Sequence, residues 1–91
     1  MAKLSARGRT VLVRMIRERM VRDTVYGDMY RERVTYALMS DQCILRKVVF
    51  WWESNNKRSD SGWKNLGKTK ETPEEFERRL GEFGFYRADR D

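Results

Sequence analysis

The sequence predicts a mainly β fold, in which a small three-stranded antiparallel sheet is followed by a C-terminal α-helical extension. Residues 29–39 alternate between apolar and polar side chains, and residues 43–53 are rich in β-branched and aromatic residues, as strands are. Thr72, Pro73 and Glu75 form the signature of a helix start. The chain therefore divides into a basic arm (1–9), the sheet (10–53), a polar linker (54–71) and the extension with an amphipathic helix (72–91).

The arm is basic, free of acidic residues and too poor in apolar residues to order without a partner. Residues 10–17 alternate imperfectly between apolar and polar side chains, which predicts the first strand. A helix over about residues 10–22 remains an alternative, because Leu12, Met15 and Met20 also fit helical spacing. The β-branched residues at the start of the segment favour the strand.

The second strand has two different faces. Its alternation places Val34 and Tyr36 on one face and Arg31 and Arg33 on the other. Residues 40–42 follow as a turn signal, so the third strand folds back beside the second as a hairpin. We expect a sheet with one apolar face and one face that carries arginine and lysine.

The polar linker is rich in Ser, Asn, Gly and Lys and shows no periodicity. Trp63 and Leu66 are its large apolar residues, and they either anchor the segment to a neighbouring protein or cover the protein's own sheet. In the extension, Phe76, Leu80 and Phe83 form one apolar stripe at helical spacing. A helix this short needs a surface to pack on, and we expect the stripe to dock on a neighbouring protein.

The residue inventory excludes most enzymatic chemistry. The chain has no histidine and a single cysteine, so the usual metal clusters, the Ser-His-Asp and Cys-His nucleophile systems and disulfide frameworks cannot be assembled. We therefore expect no enzymatic activity, no cofactor and no metal site. No apolar run reaches about 18 residues, so we also expect no membrane span.

The charge is concentrated in one part of the chain. The 20 Lys and Arg residues exceed the 14 Asp and Glu residues, for a net charge of +6. Residues 1–70 carry 16 basic and 7 acidic side chains, a net charge of +9, whereas residues 71–91 carry a net charge of −3. Arginine outnumbers lysine 14 to 6. Because the guanidinium group binds phosphate with two parallel hydrogen bonds and stacks on bases, this bias favours RNA as the partner.

Three segments in order resemble a known family. They are Arg9–Met15 (RTVLVRM), Arg31–Thr35 (RERVT) and Asp41–Phe50 (DQCILRKVVF), the last followed by Glu53. Together they resemble bacterial-type large-ribosomal-subunit protein thirty-three in its zinc-less form. The resemblance covers about residues 7–53, roughly half of the chain.

The chain departs from that family in three places. A charged stretch, residues 17–28, stands where the family has a glycine-containing turn, so the path there stays open. The two cysteine pairs of the zinc-binding members are missing, and we interpret Cys43 as a small buried or half-buried apolar residue. Residues 54–91 have no counterpart, and we hypothesise that they are an extension found in an organellar version.

The resemblance implies a structural constituent of the large ribosomal subunit that binds ribosomal RNA near the tRNA exit site, here in a mitochondrial ribosome, with a chloroplast ribosome as the alternative. The implied partners are large-subunit ribosomal RNA, neighbouring ribosomal proteins and the exit-site tRNA. The motifs support phosphate contacts by five arginines, Lys3 and Arg7 are added on charge alone, and Lys47 completes the set. The full set is Lys3, Arg7, Arg9, Arg14, Arg31, Arg33, Arg46 and Lys47.

Two other classes of function stay open. One is a free-standing basic regulator that binds nucleic acid through the same sheet. The other is a small protein-interaction module or inhibitor, in which residues 50–52, Trp63 and the helix form one binding surface. The salt dependence of binding distinguishes these two classes. Affinity for RNA falls steeply as the ionic strength rises, whereas the affinity of an apolar interface changes little.

Overall fold

Six strands and one helix follow each other in the described part of the chain, which covers residues 8–54 and 56–88 of this computed structural model. They are β1 (Val11–Arg22), β2 (Met29–Met39), β3 (Cys43–Trp52), β4 (Lys57–Asp60), β5 (Lys64–Lys68), α1 (Pro73–Gly81) and β6 (Tyr86–Arg87). The strands form one sheet in the order β4-β3-β2-β1-β6, and β5 also pairs with β3. The mainly β, antiparallel character of the prediction is confirmed, but the predicted number of three strands is wrong.

The centre of the sheet is the meander β1-β2-β3. β1 is a strand throughout, so the helical alternative over residues 10–22 is wrong. The charged stretch after residue 17 continues β1 as far as Arg22 and then turns back over residues 23–28. Asp23 holds this turn, because its Oδ1 accepts hydrogen bonds from the backbone N–H groups of Val25 and Tyr26 at 2.8 and 3.2 Å.

The turn between β2 and β3 lies where the sequence predicts it. Asp41 Oδ1 accepts a hydrogen bond from the backbone N–H of Cys43 at 3.1 Å, and Gln42 takes a left-handed conformation with φ of 74°. The backbone N–H of Gln42 donates to the carbonyl of Met39 at 2.9 Å. The turn fixes the register in which Leu38 faces Ile44.

The segment predicted as a polar linker contains two strands. β4 pairs with β3 from Val49 to Trp52, and β5 pairs with the other half of the same edge, from Cys43 to Arg46. Every residue of β4 and β5 is exposed, so neither strand has the alternation by which half-buried strands are recognised. Their hydrogen bonds nevertheless cover the outer edge of β3, which would otherwise be free to pair with another chain.

The predicted helix start is confirmed. Thr72 Oγ1 accepts a hydrogen bond from the backbone N–H of Glu75 at 3.2 Å, and the Glu75 carboxylate accepts one from the backbone N–H of Thr72 at 3.0 Å. This reciprocal capping box, with Pro73 in the first turn, satisfies donors that a helix N-terminus leaves unpaired.

Helix α1 packs on the protein's own sheet and not on a neighbour. Phe76 is fully buried and Leu80 is 4% exposed, so the prediction that these two residues dock on another protein is wrong. They cover one side of the sheet, which we call the helix-covered face. Its core consists of Val13, Met15, Val34 and Leu38 of the sheet with Phe76, Leu80 and Phe85. Phe83, by contrast, is 63% exposed.

A smaller apolar cluster lies on the other side of the sheet. Ala37, Met39 and Leu45 form it, and Val11 and Trp63 pack against it. Of the two alternatives for Trp63, the structure therefore supports the one in which it covers the protein's own sheet. Leu66 remains 47% exposed. Cys43 is buried, as expected for a small apolar residue.

Candidate nucleic-acid interface

The basic face is the side of the sheet opposite helix α1. Strand register brings its residues together in rows: Thr35 of β2 lies between Ile16 of β1 and Lys47 of β3. In another row, Arg31 faces Trp51. A depression of about 260 Å³ lies on this face. It is lined by Arg14, Ile16, Arg33, Thr35, Lys47, Val49, Trp51, Arg58 and Trp63.

Two cations of the basic face lie over indole rings. The guanidinium carbon of Arg33 is 5.5 Å from the centre of the Trp51 ring. The ammonium group of Lys47 is 5.7 Å from the centre of the Trp63 ring. Such pairs combine a positive charge, which attracts phosphate, with a flat aromatic surface on which an unpaired base can stack. The indole Nε1 of Trp63 is buried and has no hydrogen-bond partner within the described ranges.

Acidic side chains neutralise part of the positive charge. Glu18 Oε2 lies 2.6 Å from Arg33 Nη2, and Glu53 Oε2 lies 3.0 Å from Arg31 Nη2. The arginine side chains remain 45% and 40% exposed, respectively. Exposed ion pairs contribute little free energy, so a phosphate group can compete with the carboxylates for these guanidinium groups.

Asp60 arranges two further cations at the rim of the basic face. Its Oδ2 lies 3.5 Å from Lys47 Nζ and 3.6 Å from Arg58 Nη2. The hydrogen bond from the backbone N–H of Gly62, followed by the charges of Lys47 and Arg58, lowers the pKa of Asp60 below its ordinary value. The carboxylate is therefore ionised at neutral pH and holds the two cations beside the Trp63 ring.

Ala88, the last described residue, contacts Arg14 at the edge of the same region. Ala88 donates its backbone N–H to the carbonyl of Arg14 at 2.8 Å, and its own carbonyl accepts from Arg14 Nε and Nη2 at 3.3 and 3.0 Å. These contacts fix the guanidinium group of Arg14 at the β1 edge of the basic face.

The structure brings together half of the eight residues predicted to contact RNA. Arg14, Arg31, Arg33 and Lys47 share the basic face. Two of the other four, Arg9 and Arg46, lie elsewhere in the structure.

Arg46 lies on the helix-covered face, because it pairs in register with Tyr36. Arg9 lies at the end of the sheet, where its Nη1 is 3.5 Å from Asp41 Oδ2. Lys3 and Arg7, with most of the predicted arm, fall outside the described residues. The prediction that Arg46 joins the other arginines on one surface is therefore wrong.

Sequence reasoning missed two members of the basic face. Arg58 belongs to β4, which has no recognisable strand pattern, so no signal was present for it. Trp51 could have been found, because strand alternation in β3 places it on the same side as Lys47.

The single surface imagined for a protein-interaction module does not form. Phe50 and Trp52 lie with Tyr30 on the helix-covered side, where the Tyr30 and Trp52 rings are 5.1 Å apart. Trp51 and Trp63 lie on the basic face. The aromatic residues of β3 are thus divided between two opposite surfaces.

Comparison with known proteins identifies no relative: no family model, no curated protein and no solved structure matches the chain. In residues 8–54 and 56–88, no group of three or more His, Cys, Asp or Glu side chains is placed to hold a metal ion. The described part of the chain contains no helix long and apolar enough to cross a membrane.

Proposed function

We propose that the protein is a non-enzymatic RNA-binding protein and that RNA lies on the basic face. The observation that supports this most strongly is the placement of Arg33 over Trp51 and of Lys47 over Trp63 on one open side of the sheet. The partner that matches alternating cations and half-buried indole rings is a strand whose phosphates alternate with unpaired bases.

Each group of the basic face then has a distinct part in binding. Arg33, Lys47 and Arg58 contact phosphates, which fixes the position of the strand without reading its sequence. Trp51 supplies a stacking surface for a base. Glu18 and Asp60 keep the cations in place when no RNA is bound. The face therefore favours unpaired RNA of loose sequence preference.

We further propose that the protein is a structural constituent of the large ribosomal subunit, near the tRNA exit site of a mitochondrial ribosome, with a chloroplast ribosome as the alternative. The resemblance in Arg9–Met15, Arg31–Thr35 and Asp41–Phe50 supports this assignment. The proposed partners are large-subunit ribosomal RNA, neighbouring ribosomal proteins and the exit-site tRNA. Leu66 and Phe83, both exposed, are the candidates for contact with a neighbouring protein.

RNA titrations with single-site variants test the use of the basic face. Trp51→Ala should weaken binding of an unstructured RNA about tenfold, since one stacked base contributes about 1–3 kcal/mol. Arg33→Gln should lower the slope of log K against log salt by about 0.7, as expected for one lost phosphate contact on a single strand. Arg78→Gln, an exposed helix residue, is the matched control. Equal affinities for wild type and both basic-face variants would contradict the proposal.

Sedimentation tests the ribosomal part separately. We expect the tagged protein to migrate with large subunits of the organelle in a sucrose gradient at moderate salt. A protein that stays at the top of the gradient, yet binds RNA in vitro, would exclude the ribosomal role and leave RNA binding intact.

A free-standing nucleic-acid-binding regulator is the second candidate. One observation favours it: the C-terminal segment packs Phe76, Leu80 and Phe85 on the protein's own sheet, so the chain has a core of its own. Such a chain does not need an assembly to bury its helix. Recovery of the protein in ribosome-free fractions with bound RNA would support this candidate.

A further inference from the structure

A second concave region lies on the helix-covered face, where helix α1 ends. It is a groove of about 530 Å³ on the opposite side of the sheet from the basic face. Val34, Val48 and Phe85 contribute apolar surface to it, and Arg17 of β1 and Arg46 of β3 contribute charge. A groove of this volume is in the range of small-molecule sites.

Arg17 has an unused donor at this groove. Its guanidinium carbon lies 4.7 Å from the centre of the Phe85 ring, and its Nη1 donates to the carbonyl of Phe83 at 3.2 Å. Its Nε, however, is buried and has no hydrogen-bond partner in the part of the chain that is described. Arg17 therefore contributes to the groove a positive charge that no carboxylate of the described residues pairs with.

Arg46 is the second cation of the groove that forms no ion pair among the described residues. Its side chain is half-buried, and the contacts within residues 8–54 and 56–88 include no hydrogen bond or ion pair for it. The other two arginines nearby are neutralised: Arg79 Nε lies 2.6 Å from Glu71, and Arg19 Nε lies 2.7 Å from Glu32. The groove therefore keeps two positive charges, from Arg17 and Arg46, beside an apolar floor.

Arg17 of β1 lies in the row of Val34 and Arg46 of β3 lies in the row of Tyr36, so the two arginines flank β2, and one phosphate monoester is the anion best suited to both. Such a group carries a charge of about −1.5 to −2 at pH 7 and has three strong acceptor oxygens, so two arginines can share it. An internal phosphodiester carries a single negative charge. The groove thus favours a terminal phosphate over the backbone of a strand.

The rest of the groove indicates what the phosphate is attached to. Tyr36, Val34 and Glu32 follow each other on this face of β2, and Arg46 lies beside Tyr36 in register. A cation and a carboxylate therefore lie at opposite ends of an apolar surface, and the strand rise separates their rows by about 13 Å. Glu32 accepts one hydrogen bond from Arg19, and its carboxylate has capacity for another donor.

We propose that this groove binds a nucleoside monophosphate whose base carries an amino group. The phosphate lies between Arg17 and Arg46, the base lies on Val34 and Val48, and the amino group donates to Glu32. The ligand is either free or the 5′-terminal nucleotide of an RNA strand. The site is independent of the basic face, because the two lie on opposite sides of the sheet.

Calorimetric titration of the full chain with adenosine 5′-monophosphate tests the site. The nucleotide should bind at least about tenfold more tightly than adenosine or inorganic phosphate, because each of these lacks one half of the recognised groups. Inosine 5′-monophosphate, which has a carbonyl oxygen in place of the amino group, should bind more weakly than the adenosine nucleotide. Inorganic phosphate binding as tightly as the nucleotide would overturn the proposal.

The variant Arg46→Gln should weaken binding of adenosine 5′-monophosphate about tenfold, as expected for loss of one charge-assisted pair. Its fold, checked by circular dichroism, should be unchanged. The matched control is Arg33→Gln on the basic face, which should bind the mononucleotide like wild type while binding unstructured RNA less well. Arg46→Gln with wild-type affinity, or nucleotide-induced NMR shifts at Trp51 and not at Tyr36, would overturn the site without affecting the proposed RNA binding.

Oligonucleotides separate the two sources of the ligand. If the natural ligand is a strand end, a 5′-phosphorylated RNA should bind more tightly than the same RNA with a 5′-hydroxyl, and Arg46→Gln should abolish the difference. If it is a free nucleotide, the two oligonucleotides should bind equally and adenosine 5′-monophosphate should not compete with either.

Discussion

Hydrogen bonds from single side chains fix the turns of this protein. Gln42 is in the left-handed region, and its side-chain amide donates to the carbonyls of Thr69 and Glu71 at 2.8 and 3.2 Å. The residue thus joins the β2-β3 turn to the segment that leads into the helix. Thr72 follows directly as the helix cap, and Arg79 reaches back to Glu71 with two hydrogen bonds of 2.6 and 2.8 Å.

The capping box predicts the effect of one substitution. Thr72→Ala removes the side-chain acceptor for the backbone N–H of Glu75 and should lower the free energy of unfolding by about 1 kcal/mol. Urea denaturation followed by circular dichroism measures this change. Thr24→Ala, in an exposed turn, is the control and should change stability by less than about 0.5 kcal/mol. Equal effects of the two substitutions would mean that the cap does not stabilise the helix.

The Glu71–Arg79 pair predicts a dependence on pH. The hydrogen bond from Arg79 lowers the pKa of Glu71 below its ordinary value of 4.5. Because the folded pKa lies below the unfolded one, the pair stabilises the fold above about pH 4.5, and this contribution is lost as the pH falls through the folded pKa. Glu71→Gln should therefore have a lower free energy of unfolding than wild type at pH 7. The difference between the two proteins should become smaller in acid.

Thermal unfolding of both proteins between pH 7 and pH 3 measures this difference. Glu82→Gln, an exposed substitution near the end of the same helix, is the control and should not reproduce the convergence. A constant gap between wild type and Glu71→Gln at all pH values would contradict the assignment.

At the scale of elements, the helix and the last strand close one side of the sheet. Leu80 and Phe76 of the helix pack in one buried cluster with Met15 and Leu38 of the sheet, and this packing sets the position of the helix. β6 then pairs with β1 at Met15 and Ile16, which brings the chain back to the sheet immediately after the helix. The helix is therefore part of the fold and not an appendage.

Two phenylalanines of the C-terminal segment should behave differently. Phe76→Ala should cost about 3–5 kcal/mol, because it leaves a cavity at a fully buried position. Phe83→Ala, at a residue that is 63% exposed, should cost less than about 0.5 kcal/mol. Chemical denaturation of both variants tests this. A small change in unfolding free energy for Phe76→Ala would instead support the prediction that the helix docks on a neighbouring protein.

The strands that could be predicted from sequence are those that have one side packed on apolar residues and the other side polar. β2 has its predicted bounds, Met29–Met39, because one side packs on apolar residues and the other carries Arg31 and Arg33. The helix start could be predicted because Thr72 and Glu75 form hydrogen bonds with each other within one turn. β4 and β5 could not be predicted, because strands that are exposed on both sides have no periodic pattern. Such strands are specified by the strand edge on which they pair.

Strand alternation alone predicts which residues of one strand share a face, and that part of the candidate site could be predicted. Arg31 and Arg33 are two residues apart and must share a face. Arg46 and Lys47 are adjacent, so strand alternation places them on opposite faces, and the resemblance that suggested Arg46 carries no information about which face it occupies. Arg58 required knowledge of the pairing between β4 and β3, which is a long-range property.

At the scale of the whole molecule, the sheet separates two surfaces of different chemistry. The basic face carries paired cations over indole rings. The helix-covered face holds the larger core and a larger groove, with Arg17 and Arg46 in its lining. A single sheet thus allows one small chain to present two surfaces of different chemistry that do not overlap.

RNA should stabilise the whole chain in a salt-dependent way. Free RNA at about one hundred times its Kd should add about 2.7 kcal/mol of stability, because it binds the folded state alone. For a chain of this length, that should raise the Tm by more than about 10 °C at low salt. The increase should largely disappear at high salt, where phosphate contacts weaken. Thermal scans with and without RNA measure it, and a salt-independent increase would indicate that apolar contacts dominate.

The outer edge of β1 has a consequence for solubility. β6 pairs with β1 only at Met15 and Ile16 in the described part of the chain, so no strand of that part covers the stretch from Glu18 to Arg22 on that side. An uncovered strand edge can recruit identical chains into growing aggregates. Here Glu18, Arg19 and Arg22 place charged side chains along that edge, and charged side chains on an edge strand hinder its pairing with another chain. The charges of β1 therefore oppose self-association through the stretch that no described strand covers.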